Sequence, residues 1–227
     1  MPILIRLLPW LTASSAAATI LAQIGALPAG LAFAFKPLTT VLIIAYAWPR
    51  GAAQPRQRRL VRTGLALSLI GDVALLWPTQ GFLPGLIAFL LAHLAYIAAF
   101  CVPLRLAARP AMFVAYAAVA ALILSQLWGG VPAALRLPVI AYVLCLATMA
   151  AQAAVWWRAS VGRADAALAR HAAIGGVLFM ASDSLLAINT FAVPLPLASL
   201  WILATYWLAQ WAIAGSLHAL EQPGEAA

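Results

Sequence analysis

The sequence predicts an all-α membrane protein, a bundle of about eight transmembrane helices with both termini in the cytosol, on the strength of its hydropathy, its run lengths and its charge placement. The chain is 66% hydrophobic and 8% charged, with a mean hydropathy of +1.02, too little polar surface to cover a water-soluble globule. The apolar runs are continuous rather than alternating. That favours helices over a barrel, because each backbone polar group in a bilayer must be paired within its own segment.

A spanning helix needs about 20 residues. Charged, proline-rich and glycine-rich breaks divide the chain into segments 7–27, 31–48, 60–77, 82–103, 111–128, 137–157, 171–191 and 197–218. The first carries Thr12, Ser14, Ser15, Thr19 and Gln23 behind a lone Arg6. Its thin basic region and the lack of a clean cleavage site predict a retained helix rather than a secretory signal. Connections on one side are short and rich in turn residues, as in Pro28-Ala29-Gly30, Pro78-Thr79-Gln80-Gly81, Gly129-Gly130-Val131-Pro132 and Pro194-Leu195-Pro196. The longest loop on the other side, 49–59, is polar and basic. The expected organisation is one transmembrane domain, 1–220, with a short tail, 221–227. No connection has room for an extramembrane catalytic domain, so any chemistry belongs inside the bundle.

The net charge of +8 follows the membrane rather than a polyanion. Arg6, the cluster Arg50, Arg56, Arg58, Arg59 and Arg62, and then Arg105, Arg109, Arg158, Arg163 and Arg170 fall at the N-terminus or in alternate loops, with only Arg136 on the opposite side. This is the positive-inside pattern; it predicts contact with anionic lipid headgroups and no nucleic-acid partner. Cys101 and Cys145 lie within spans and read as small buried hydrophobes. The abundance of Ala, Arg and Gly points to a GC-rich bacterial genome and hence to the inner (cytoplasmic) membrane.

An ionisable side chain at membrane depth costs about 2.5–3.5 kcal/mol or more, so it is there for function or for a partner. Those residues are Lys36, Asp72, His93 and Asp183, with Tyr96, Asn189, Tyr206 and Gln210 as polar neighbours. At 1.5 Å rise per residue, Lys36 and Asp72 lie about one and a half turns from the outer end of their helices, Asp183 about two turns and Tyr206 somewhat deeper. One shared polar cavity toward the outer leaflet is therefore expected. Phe82, Phe89, His93 and Tyr96 share a helix face, as do Tyr206 and Gln210, and Ser68 is placed one turn before Asp72 to support its carboxylate. Gly71-Asp72 and Ser182-Asp183, each followed by Leu three positions after the Asp, form a short internal similarity.

Two readings compete for these charges. In one, Lys36 pairs with Asp72 or Asp183 and merely ties helices together. In the other, two carboxylates against one Lys leave a surplus that carries a proton or finds another cation, and paired acids in low dielectric tend to share a proton. His93 reads equally as a hydrogen-bonded interhelical residue. Zinc is disfavoured, since the three His and two Cys are scattered without ligand spacing.

The string Lys36-Pro37, Gly71-Asp72, Phe82, Gly85, Phe89, His93, Tyr96, Gly175-Gly176, Phe179, Ser182-Asp183, Tyr206 and Gln210 resembles the YhhN-type lysoplasmalogenase family, from the second span to the last. The resemblance implies an eight-helix intramembrane hydrolase. It would cleave the vinyl ether bond of lysoplasmalogen, a lysophospholipid, to a fatty aldehyde and a glycerophospho-alcohol, glycerophosphoethanolamine or glycerophosphocholine. It also implies Asp72 and Asp183 as catalytic residues, with Lys36, His93, Tyr96, Ser182, Tyr206 and Gln210 binding substrate or supporting the site. Neither metal nor cofactor is required. Enol ether hydrolysis needs one protonated carboxyl to protonate the β-carbon and one carboxylate to face the oxocarbenium ion and manage water, the inventory found here. The rival expectations are a small proton-coupled transporter, in which the same carboxylates form a relay and Pro37 or Gly175-Gly176 breaks a helix, and an intramembrane hydrolase of another lipid bond. The oligomeric state is not written in the sequence.

Overall fold

The computed structural model describes residues 3–219, so the expected tail at 221–227 lies outside the described residues. Eight α-helices follow one another: α1 (Ile3–Gln23), α2 (Leu31–Ala47), α3 (Pro55–Ala74), α4 (Pro78–Phe100), α5 (Pro110–Leu127), α6 (Arg136–Ser160), α7 (Ala166–Phe191) and α8 (Ala198–Gly215). Two 3₁₀ turns, Trp128–Gly130 and Ala133–Leu135, join α5 to α6. There is no strand among the described residues. Four stretches, Pro78–Phe100, Pro110–Gly130, Ala133–Ser160 and Ala166–Phe191, are long and apolar enough to cross a membrane, as expected of a multi-pass protein.

Hydropathy located the helices and set the starts of α2, α5, α6 and α8 to within one residue, but it set those of α1, α3, α4 and α7 four or five residues late. α3 begins at Pro55 rather than at 60, which winds Arg56, Arg58 and Arg59 onto its first turns and shortens the expected 49–59 loop. α4 begins at Pro78, so Pro78-Thr79-Gln80-Gly81 is its first turn and not a connection. The physical reason is the same in both. Proline at the first helical position lacks only an N–H that would be unpaired there anyway, and its fixed φ suits the turn, whereas hydropathy records what lipid tolerates. α7 likewise starts at Ala166, before the expected 171.

Packing is built on close approaches at glycine. A Cβ on Gly64 would fall 2.2 Å from Tyr96 Cε1, and one on Gly71 would fall 2.5 Å from Phe89 Cε2, so these two glycines seat aromatic rings of α4 against α3. α7 runs between α8 and α6 in the same way: a Cβ on Gly175 would lie 2.6 Å from Ile213 Cγ1, and one on Gly176 would lie 3.0 Å from the Ala150 Cα. α2 and α7 continue unbroken through Pro37 and through Gly175-Gly176. α6 is the most enclosed helix, buried from Cys145 through Trp156 save for its Thr148 side, whereas α5 buries only Ala120 and Leu127 and flanks the bundle.

Two ends of the bundle differ in chemistry. At one end the even-numbered helices begin and a cavity opens. At the other, Arg50 lies over the Tyr46 ring at 4.1 Å, Tyr46 stacks on Trp211 at 3.9 Å, and Arg62 lies over Trp48 at 4.4 Å while donating to the Trp48 carbonyl. Long cationic side chains spread over aromatic rings suit a membrane interface.

Candidate active site

The cavity has a volume of about 580 Å³ and draws its wall from all eight helices, within the range of about 300–1,000 Å³ usual for small-molecule sites. Much of the wall is aliphatic, including Leu86, Leu124, Val143 and Leu146, with Phe33, Phe82 and Phe191 toward the end where the even-numbered helices begin. Lys36, Asp72, Ser182, Asp183 and Tyr206 all line it. The overlap in depth expected from sequence thus corresponds to a single enclosure for these five.

Asp72 sits near the end of α3, 2% exposed. Its Oδ2 accepts from Thr40 Oγ1 of α2 at 2.5 Å and from Tyr206 Oη of α8 at 2.8 Å. Each of those hydroxyls is itself held by a further donor. Trp207 Nε1 donates to Thr40 Oγ1 at 3.3 Å, and Gln210 Nε2 donates to Tyr206 Oη at 3.1 Å, while Gln210 Oε1 accepts from Tyr96 Oη at 2.7 Å. Tyr96 and Gln210 therefore reach the cavity only through this chain. The i, i+4 spacing of Tyr206 and Gln210 on α8 is what lets one support the other.

Asp183, in the middle of α7, is only partly buried. Its Oδ2 accepts from Tyr142 Oη of α6 and, among the described residues, from no other side chain. The neighbouring Ser182 turns away, donating to the Ile202 carbonyl at 2.9 Å, and so ties α7 to α8 rather than serving the carboxylate. Asn189 similarly closes the α7–α8 connection, its Oδ1 accepting from the Leu195 N–H at 2.9 Å.

Lys36 is 5% exposed and lines the cavity. The only ion pair within 4.0 Å among the described residues is Arg163 with Asp165, so the expected helix-tying pair of Lys36 with Asp72 or Asp183 is absent from them. Lys36 and Asp72 instead face the same cavity. His93 is fully buried with both ring nitrogens unpartnered. Its ring packs edge-on against Phe179 at 4.6 Å and Tyr142 at 5.2 Å. His93 thus stands behind the wall, in contact with the residue that holds Asp183. The structure does not give it the interhelical hydrogen bond expected under its alternative reading. Ser68 also departs from expectation: its Oγ is buried without a partner, because the Asp72 carboxylate turns toward α2 and α8 instead.

Three residues escaped the sequence reading: Thr40, Tyr142 and Trp207. Thr40 follows Lys36 by four residues and so shares its face, a signal that was present. Tyr142 is the only phenol in α6, but nothing in its local sequence links it to Asp183, forty-one residues away.

Comparison with known proteins adds to this geometry. The YhhN family profile matches residues 31–217. The human lysoplasmalogenase TMEM86B is 37% identical over 83% of this chain and 75% of its own length. The human lysoplasmalogenase TMEM86A is 33% identical over 76% of this chain and 70% of its own. A lysoplasmalogenase from Mycobacterium tuberculosis is 35% identical over 70% of this chain and 59% of its own. No solved structure matches. The profile runs from the first residue of α2 past the end of α8 and so takes in both carboxylates, Lys36 and the whole Tyr206 chain; this protein belongs to the YhhN family.

Proposed function

We propose that this chain hydrolyses the vinyl ether bond of a lysoplasmalogen, releasing a fatty aldehyde and a glycerophospho-alcohol, glycerophosphoethanolamine or glycerophosphocholine. The observation that carries the reading is the pair Asp72 and Asp183 on the wall of one largely aliphatic cavity, in a chain whose relatives are named lysoplasmalogenases. We place it as eight spans in a bacterial inner membrane, with both termini and the arginine-rich end in the cytosol and the cavity toward the outer leaflet.

In this reading the aliphatic wall takes the single alkenyl chain and Lys36 meets the phosphate as a point charge. One carboxyl protonates the β-carbon of the enol ether, and the π electrons leave an oxocarbenium ion on the carbon bearing oxygen. The other carboxylate faces that cation and takes a proton from the attacking water, giving a hemiacetal. Collapse of the hemiacetal breaks the bond between that carbon and the glyceryl oxygen. Its hydroxyl proton returns to the first carboxylate, the second carboxyl protonates the departing glyceryl oxygen, and one water is consumed per turnover.

Aldehyde release from a vinyl ether lysophospholipid by the detergent-purified protein tests the proposal. Release by the unaltered protein and its loss in folded Asp72→Asn and Asp183→Asn variants is the expected result. A lipid that is bound or moved but chemically unchanged would shift the assignment to transport, and release of a fatty acid from an ester analogue would shift it to another lipid hydrolase.

A further inference from the structure

The two carboxylates are not held alike, and the difference assigns their roles. Asp72 Oδ2 takes hydrogen bonds from two hydroxyls, those of Thr40 and Tyr206. An indole N–H can only donate, so Trp207 Nε1 occupies the acceptor side of Thr40 Oγ1 and turns the threonine proton toward Asp72. Gln210 Nε2 does the same to Tyr206 Oη, with Tyr96 fixing the amide by donating to its oxygen. Both hydroxyl protons are thereby aimed at one carboxylate oxygen. That oxygen accepts twice and has no room for a proton of its own, and hydrogen bonds donated to a carboxylate favour its charged form. Lys36, the one cation on the described cavity wall, lies one turn before Thr40 on α2, the helix that donates to Asp72.

Among the described residues Asp183 has a single partner, Tyr142, and no donor fixes the Tyr142 hydroxyl. That hydroxyl is free to donate to a carboxylate or to accept from a carboxylic acid. His93 packs its ring edge-on against the Tyr142 ring and makes no hydrogen bond to it. Asp183 is also the more open of the two toward the cavity.

We propose that Asp183 is the proton donor to the β-carbon and that Asp72 is the ionised partner that faces the oxocarbenium ion and deprotonates water. The chemical roles rest on the vinyl ether reading above; the difference in protonation does not, and it is tested without any lipid substrate. Trp207, Thr40, Gln210 and Tyr96 act through Asp72 and are positioning residues, as Tyr142 is for Asp183.

The chain has only five carboxyl side chains, so the infrared carbonyl stretch of a protonated acid is traceable to a residue. At neutral pH that band is expected in the unaltered protein, lost in Asp183→Asn and retained in Asp72→Asn. A band lost in Asp72→Asn instead, or no such band, overturns the assignment. A second measurement needs no variant. Dicyclohexylcarbodiimide enters apolar cavities and reacts with protonated carboxyls, and peptide mapping should find its adduct at Asp183. An adduct at Asp72, or at neither, overturns the assignment. The double variant Thr40→Val with Tyr206→Phe removes both donors and should transfer part of the labelling to Asp72. Unchanged labelling there contradicts the hydroxyl argument. The predicted protonation pattern in a protein that releases no aldehyde would refute the vinyl ether reading alone.

Discussion

Buried polar side chains occur at both ends of this bundle, and the two sets are finished differently. At the arginine-rich end, Gln152 of α6 donates through Nε2 to the carbonyls of Phe100, Leu104 and Arg105 and accepts from the Ala107 N–H at 3.1 Å. It thus closes the end of α4 and the chain that follows. Nearby, Asp165 Oδ2 accepts from Trp156 Nε1 at 3.0 Å and from Ser160 Oγ at 2.8 Å across the α6–α7 turn. Gln152 and Asp165 are thus held by protein partners, although Gln54 Oε1 and Gln57 Nε2 at the same end are buried without one and line no cavity. At the cavity end, Asp183 has one partner, Lys36 pairs with no carboxylate among the described residues, and both face an enclosure. Polar groups satisfied by the fold hold structure, whereas those left facing space are available to a ligand.

The two ends should differ most at the carboxylates. Asp183→Asn or Asp72→Asn should lower kcat by about 100- to 10,000-fold, the usual contribution of a general acid or base, with the unfolding temperature nearly unchanged. A large loss of stability with activity retained per folded molecule would make this end structural too. Tyr206→Phe should follow, since a hydrogen bond to a charged group contributes about 1.5–3 kcal/mol and its loss weakens the hold on Asp72. A fall in kcat of about 10- to 100-fold with KM little changed is the expected split. Gln152→Leu tests the other end. It leaves buried carbonyls unpaired, at a cost of about 1–3 kcal/mol each at most, and should lower stability in denaturant without altering kcat.

The smallest effect belongs to Asp165, which is about one third exposed. Partial burial raises its pKa, but hydrogen bonds from the Trp156 indole and the Ser160 hydroxyl lower it and prevail, so it lies below the ordinary carboxylate value. A depressed folded-state pKa stabilises the fold above the unfolded value, and that contribution is lost as pH falls through the folded one. Asp165→Asn should therefore flatten the acid limb of the stability profile slightly while leaving neutral activity intact. An unchanged acid limb would remove Asp165 from the structural set.

How far the sequence carries is visible in the same residues. Eight apolar runs became eight helices because lipid solubility and helix formation are both local properties. Lys36, Asp72, Asp183 and Tyr206 could be placed at overlapping depths by counting rise along helices. What counting cannot give is rotation about each helix axis relative to its neighbours. Ser68, one turn from Asp72, therefore looked like its partner, while Thr40 and Tyr206 on other helices hold it. The same gap hid Tyr142, and it set His93 on the right face yet behind the wall. Glycine explains part of the rotation: Gly64 and Gly71 admit the rings of Tyr96 and Phe89 and so fix how α4 meets α3, which no single-helix pattern reports.

In the proposed reaction a proton passes from this cavity to a vinyl ether carbon, and deuterium follows that step directly. With the purified protein in deuterium oxide and a vinyl ether lysophospholipid, the released fatty aldehyde should carry one deuterium on the carbon next to its carbonyl, and the Asp183→Asn variant should release almost none. Aldehyde released without deuterium at that carbon, or a substrate recovered intact from the unaltered protein, would contradict the account.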